Sequence, residues 1–289
     1  MAVALMNPVH SAVDGLLAAA AALLETGTAD LDPGPDVDPT GPLRIGVDLG
    51  TASCVLVVLR GELPIWVGAE PSGALRDGVV VDFARAAATI GRLKRAAEAA
   101  LGLELADAAT AYPPGIPVDD ARACRFVCEA AGFEQVELVD EVTAAQRTLG
   151  IGDGVVVDVG GGSTGVGVFR GGRLVALDDR PGGGHHLDLI LAGALGIDVA
   201  QAESRKRDHP ADAFAILIPG LQRIAENIRA LTPDAADLPL HLAGGALMLP
   251  GAGDVLARYL QRTVVTYPHA LLITPVGIAR SAPPGRTRT

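Results

Sequence analysis

The chain has 289 residues, 49% of them hydrophobic, with a mean hydropathy of +0.35. That length can bury a large core and form two lobes. A net charge of −11 argues against a nucleic-acid backbone or an anionic membrane as main partner, and no apolar run approaches the ~18–20 residues of a membrane-spanning helix.

In chain order, residues 1–28 read as a helix with one apolar stripe formed by Val9, Val13, Leu16, Leu17, Ala20 and Leu24. It either packs on its own domain or lays that stripe into a partner's groove. No Lys or Arg precedes Arg44, so neither a secretory nor a mitochondrial signal is expected. Three cysteines without a disulfide framework fit a reducing cytosol, hence a cytoplasmic location. Residues 29–41 hold three prolines and four aspartates and read as a linker, making 1–41 an extension.

A first lobe over 42–150 begins with two strands in IGVDLGTASCVLVVLRG (45–61). The stretch RDGVVVDF (76–83) predicts a turn and short strand, and Ala84–Leu101 a helix. A strand over Ala108–Tyr112, a helix over Val118–Ala131, a strand over Gln135–Val139 and a helix from Glu141 to Leu149 follow. A second lobe over 151–282 opens with VVVDVGGGSTGVGVFRG (155–171). Helices near 187–208 and 212–231, a strand at 239–243, a helix over 252–261, a strand at 263–267 and a helix near 275–281 complete it. Residues 283–289 read as a disordered tail. Strands alternating with helices indicate an α/β fold.

The two hairpins repeat without a gap, Asp158 falling on Asp48, Gly160 on Gly50 and Arg170 on Arg60. Each copy ends a buried strand in a carboxylate and turns through Gly with Ser or Thr. Glycine lets backbone N–H groups converge on an anion. A carboxylate beside a phosphate is repulsive unless a cation lies between, so Asp48 and Asp158 are the candidate Mg²⁺ residues, acting mainly through its waters. Thr51, Ala52 and Ser53 with Gly50, and Gly160, Gly161, Gly162, Ser163 and Thr164, are the candidate phosphate loops. Both aspartates could instead be turn caps.

Five blocks in order, VDLGTAS (47–53), VDEVTAA (139–145), VDVGGGSTG (157–165), GGHHLD (183–188) and LAGGALMLPG (242–251), resemble the actin and DnaK-type ATPase superfamily. Within it the match is closest to the EutJ family of ethanolamine-utilisation proteins, described as chaperonin-like. VDLGTA, RDGVVVDF, ATAYPPG (109–115), GGHH, AESRKR (202–207) and LAGG carry the likeness, and RDG…DF also resembles MreB. The resemblance implies an actin-like ATPase fold of two duplicated ribonuclease-H-like lobes around a cleft for ATP or ADP. It further implies Glu141 and Asp158 as catalytic residues, Gly183 and Gly184 at the phosphates, Glu203 and Lys206 at ribose and adenine, and Gly244 and Gly245 beneath adenine. Glu203 and Lys206 could equally form an exposed i,i+3 ion pair.

Val142 stands where such proteins commonly have Pro, which bears on turnover more than on binding. His185 and His186 lack a third ligand at metal-binding spacing, and Cys124 and Cys128 read as core residues. The family implies a protein client or shell component of a bacterial microcompartment as partner. It leaves a nucleotide-controlled filament or a small-molecule kinase as alternatives. With the chain ending just past the second lobe, no peptide-holding domain of the DnaK kind is expected.

Overall fold

The repeat builds two sheets that begin alike. A computed structural model describes residues 8–26, 41–76, 79–285 and 287–288 and places helix α1 (Pro8–Thr26) first. Strands β1 (Leu43–Leu49), β2 (Ser53–Arg60) and β3 (Leu63–Pro71) follow as an antiparallel meander. Short strands β4 (Leu75–Arg76) and β5 (Val79–Val80) pair, while Asp77 and Gly78 of the predicted turn lie outside the described residues, as do residues 29–40 of the linker predicted over 29–41. Helix α2 (Phe83–Leu101), short β6 (Glu104–Leu105), β7 (Asp107–Tyr112), helix α3 (Val118–Ala130) and β8 (Gln135–Asp140) complete the first half. The sheet order is β3-β2-β1-β7-β8, with β7 and β8 parallel to β1.

Helix α4 (Glu141–Leu149) leads into the second meander, β9 (Gly154–Val159), β10 (Ser163–Arg170) and β11 (Arg173–Pro181). Helices α5 (Gly184–Leu195), α6 (Val199–Asp208) and α7 (Pro210–Leu231) precede β12 (Leu240–Ala243). Helix α8 (Ala252–Leu260), β13 (Val264–Val265), a 3-10 turn (Ala270–Leu272), helix α9 (Ile273–Ser281) and β14 (Thr287–Arg288) end the chain. The second sheet is ordered β11-β10-β9-β12-β13.

The duplication reaches the irregularities. β2 slips register against β3 between Val58 and Leu59, and β10 slips against β11 between Val168 and Phe169, the same place in the repeat. The third strand of each meander escaped the sequence reading: β3 contains two prolines, and β11 is exposed along nearly its whole length, so neither shows clean two-residue alternation. The helix expected near 187–208 is two helices. Gly196 takes a left-handed conformation (φ 66°) that ends α5, and Asp198 caps α6 by accepting from the Gln201 N–H at 2.8 Å.

Helix α1 packs on the fold itself. Val13, Leu17, Ala20, Ala21 and Leu23 are buried in one cluster with Val55, Val57, Leu59 and Val67 from the first meander, and Leu16 and Leu24 pack beside them; Val9's side chain is not among those described. The stripe is thus spent internally and is not available for a partner's groove. At the other end, α9 returns to the first half, packing against β1 and α4. A Cβ on Gly277 would stand 1.7 Å from the Ala144 carbonyl oxygen, so α4 and α9 meet backbone to backbone. Residues expected to form a loose tail are paired: the Gly285 N–H donates to the Leu43 carbonyl at 2.7 Å, and Thr287 and Arg288 lie beside Leu105 and Glu104.

Candidate functional site

Both carboxylates sit where a strand at the sheet centre runs out. Asp48 opposes Val55 across the first hairpin and Asp158 opposes Gly165 across the second, the same register in each copy. Between them lies a cleft of about 810 Å³ lined by residues of both halves. Of the predicted site residues, Asp48, Gly50, Thr51, Ala52, Ser53, Glu141, Asp158, Gly160, Gly161, Gly162, Ser163, Gly184, Glu203, Lys206, Gly244 and Gly245 line it.

The two Gly turns touch. A Cβ on Gly161 would lie 3.2 Å from Thr51 Cβ and 3.3 Å from the Ala52 backbone nitrogen. The carbonyls of Gly160, Gly161 and Gly162 accept from the N–H groups of Gly184, His185 and Gly182 at 2.9, 2.8 and 2.9 Å. Because a trans peptide sets each C=O opposite the next N–H, the amides of Gly161 and Gly162, whose preceding carbonyls bond the start of α5, point away from that helix. An array of aligned donors of that kind suits an anion.

Thr164 and Gly183 do not line the cleft. The Thr164 hydroxyl is fully buried and donates to the Gly182 carbonyl at 2.6 Å. Gly183 lies behind the second loop, where a Cβ would come within 2.4 Å of the Gly160 oxygen. Gly184 reaches the cleft, yet its N–H is committed to Gly160. These glycines therefore brace the loop from behind. The alternative Glu203–Lys206 ion pair does not form: Glu203 pairs with Arg207 at 3.6 Å, while Lys206 stands 2.6 Å from Asp188 and donates to the Gly184 carbonyl at 3.2 Å.

Glu141 is the first residue of α4, whose start is fixed by Asp140, accepting from the Thr143 N–H at 2.7 Å. Val142 fills the space above the second hairpin, its methyls 3.2 and 2.4 Å from where Cβ atoms on Gly165 and Gly167 would lie. Those glycines replace Val55 and Val57 of the first copy because α4 crosses there.

The electrostatics are those of clustered, buried carboxylates. Burial, then the charge of Asp158, pushes Asp48 up to about 7. Asp158 is pushed up to about 6 by burial, against a lowering hydrogen bond from Thr274. Glu141 is raised well above the usual carboxylate range by burial, then by Asp158, Asp48, Asp179 and Asp140. Among the described residues no three His, Cys, Asp or Glu side chains form a direct metal-ligand group. Two buried aspartates at the ends of facing strands are a donor set of the kind that suits a divalent ion retaining most of its waters.

Several residues in or beside the cleft carry no signal in the sequence. Asp179 on β11 faces the carboxylate cluster, and burial raises it to about 6 despite a hydrogen bond with Ser163. The Arg85 guanidinium lies against Gly73, within 3.0 Å of where a Cβ would be, and lines the cleft mouth. Thr274 hydrogen bonds Asp158 from α9. Asp188 pairs with Lys206 at 2.6 Å.

Residues 69–192 match the MreB/Mbl protein family. The chain is 35% identical over 242 residues to ethanolamine utilization protein EutJ of Salmonella typhimurium, covering 83% of this chain and 86% of that protein. It belongs to the EutJ family. The EutJ protein of Escherichia coli K12 matches to the same extent. The crystal structure of EutJ from Carboxydothermus hydrogenoformans superposes with a TM-score of 0.85 at 37% identity, covering 93% of this chain and 98% of that one. MreB5 of Spiroplasma citri bound to ADP superposes with a TM-score of 0.67 at 17% identity over 82% of this chain and 95% of its own. The fold is that of the actin-like ATPases. No helix among the described residues is long and apolar enough to cross a membrane.

Proposed function

We propose that the chain binds a magnesium nucleotide, ATP or ADP, in the interlobe cleft and works as a slowly hydrolysing, chaperone-like switch in ethanolamine utilisation. Its client is a protein enzyme or shell component of a microcompartment in the cytoplasm. The contact of Gly161 with Thr51 and Ala52 carries this reading, because it puts two amide-rich turns and their carboxylates around one gap. The family relation and the ADP-bound fold neighbour support it.

In this reading the second loop's amides hold the phosphates, and Asp48 and Asp158 hold the cation through its waters. Mg²⁺, when bound with the nucleotide, supplies the positive charge that the clustered carboxylates and phosphates lack. Glu141 orients and deprotonates the attacking water. Burial keeps its proton affinity high, as a general base near neutral pH requires. Gly244 and Gly245 let the base lie against backbone, beside Met248, Leu249 and Pro250.

Calorimetry with Mg·ATP and Mg·ADP tests the reading. Binding of either is expected, and Asp158→Ala is expected to weaken it without unfolding the chain. Unchanged affinity in a folded Asp158→Ala protein overturns the metal role.

A further inference from the structure

The twin aspartates are not held alike. Asp48 lines the cleft from β1, and no hydrogen bond to its carboxylate is found among the described residues. Asp158 is gripped: one carboxylate oxygen, Oδ2, accepts from the Thr274 hydroxyl, and the other, Oδ1, lies 2.5 Å from where a Cβ on Gly244 would stand. Gly244 takes φ 82° to let that approach happen. Thr274 is 5% exposed and Asp158 6%.

The donor belongs to a helix anchored on the other half of the molecule. A Cβ on Gly46 of β1 would lie 2.4 Å from the Ala279 nitrogen and 2.8 Å from the Pro275 oxygen, so α9 rests directly on the strand that carries Asp48. Gly277 of α9 meets the Ala144 carbonyl of α4, the helix that begins with Glu141. The first turn of α9 thus joins the second-half carboxylate to the unit bearing Asp48 and Glu141.

We propose that Thr274 is a positioning residue for the cation: from helix α9 it fixes where Asp158 stands relative to Asp48. This rests on the magnesium-nucleotide reading of the cleft. A carboxylate offers about four acceptor directions, and the single bond from Thr274 leaves the others for water around a metal ion. Without the hydroxyl, Asp158 is free to turn, and the two carboxylates no longer present a preset spacing to the hydrated ion. Nucleotide contacts made by the loops' backbone stay as they are.

The experiment is calorimetric titration of ADP and a non-hydrolysable ATP analogue over a series of Mg²⁺ concentrations. Wild type, Thr274→Val and Thr274→Ser are compared, with thermal melting of each metal-free protein. Thr274→Val, which keeps the shape and removes the donor, is expected to raise the Mg²⁺ concentration for half-maximal affinity by about tenfold. Metal-free nucleotide affinity is expected to be unchanged, and Thr274→Ser to restore the wild-type magnesium requirement. If Thr274→Val does not fold, Thr274→Ala against Thr274→Ser makes the same comparison. An unshifted magnesium requirement, an equal loss of affinity with and without Mg²⁺, or failure of serine to rescue overturns the proposal. Wild-type protein that shows no magnesium-linked nucleotide binding overturns the cleft reading and this proposal with it. A normal wild type beside an unshifted Thr274→Val overturns this proposal alone.

Discussion

The Ala52 backbone nitrogen lies 3.3 Å from the point where a Cβ on Gly161 would stand, so the two halves of the repeat are in contact across the cleft. A side chain at 161 would therefore push the loops apart and cover the amides that face the gap. Gly161→Val is expected to cut nucleotide affinity by at least tenfold while far-UV circular dichroism and melting stay close to wild type. Wild-type affinity in a folded Gly161→Val protein means the second loop does not meet the phosphates.

Glu141 touches the cleft from the start of α4 and has no structural bond to replace, unlike Asp140, which caps that helix. Glu141→Gln keeps the volume and removes the base. Phosphate release is expected to fall by about 100-fold, in line with the loss of a general base, with nucleotide affinity within about threefold of wild type. Unchanged release assigns water activation elsewhere, and Asp179 is the next carboxylate to replace.

Asp48 moves from an unfolded value of 3.8 to about 7 in the folded chain. Between those values the folded state binds more protons than the unfolded one, so stability falls as pH rises from about 4 to 7 and levels off above. Asp48→Asn removes that dependence and is expected to stabilise the metal-free protein at pH 8 by on the order of 2–4 kcal/mol. Taking the difference between wild type and variant at each pH isolates Asp48 from His241, which burial lowers to about 4 and which acts in the opposite sense. Melting curves at pH 5 and pH 8 check this. Equal differences at both pH values mean Asp48 is not strained by burial. With a magnesium nucleotide present the order is expected to reverse, because only wild type gains from the ligand.

Leu17 is fully buried between α1 and the first meander. Leu17→Ala is expected to cost about 2–5 kcal/mol, as for other large core deletions, and removal of α1 to cost more. A chemical-denaturation series measures it. A change below about 0.5 kcal/mol would mean that α1 is a loosely held appendage rather than part of the core.

How far the sequence carries depends on the range of the interactions. The twin hairpins were legible because their information is local: a strand, a carboxylate and a Gly turn lie within a few residues, and the repeat doubles the signal. Helix α4 was legible for the same reason, as was the order of the five blocks, whereas its cap at Asp140 came only with the structure. Thr164 and Gly183 belong to the right motifs but face the wrong way. Direction within a turn follows from which carbonyls and amides pair across it, and that pairing joins Gly160 to Gly184 and Gly161 to His185.

What the amino-acid order determined by itself is the presence of two acid-and-glycine elbows and, through the resemblance carried by five ordered blocks, the expectation of an actin-like architecture. What only the tertiary structure decided is which groups surround them. Thr274 reaches Asp158 from a sequence separation of 116, and Lys206 finds Asp188 rather than Glu203. Helix α1 covers β3 instead of waiting for a partner, and α9 crosses back to the first sheet. The reason is the same in each case. Such contacts are chosen by the burial of whole faces against one another, and a run of residues read in order does not reveal which face will lie opposite.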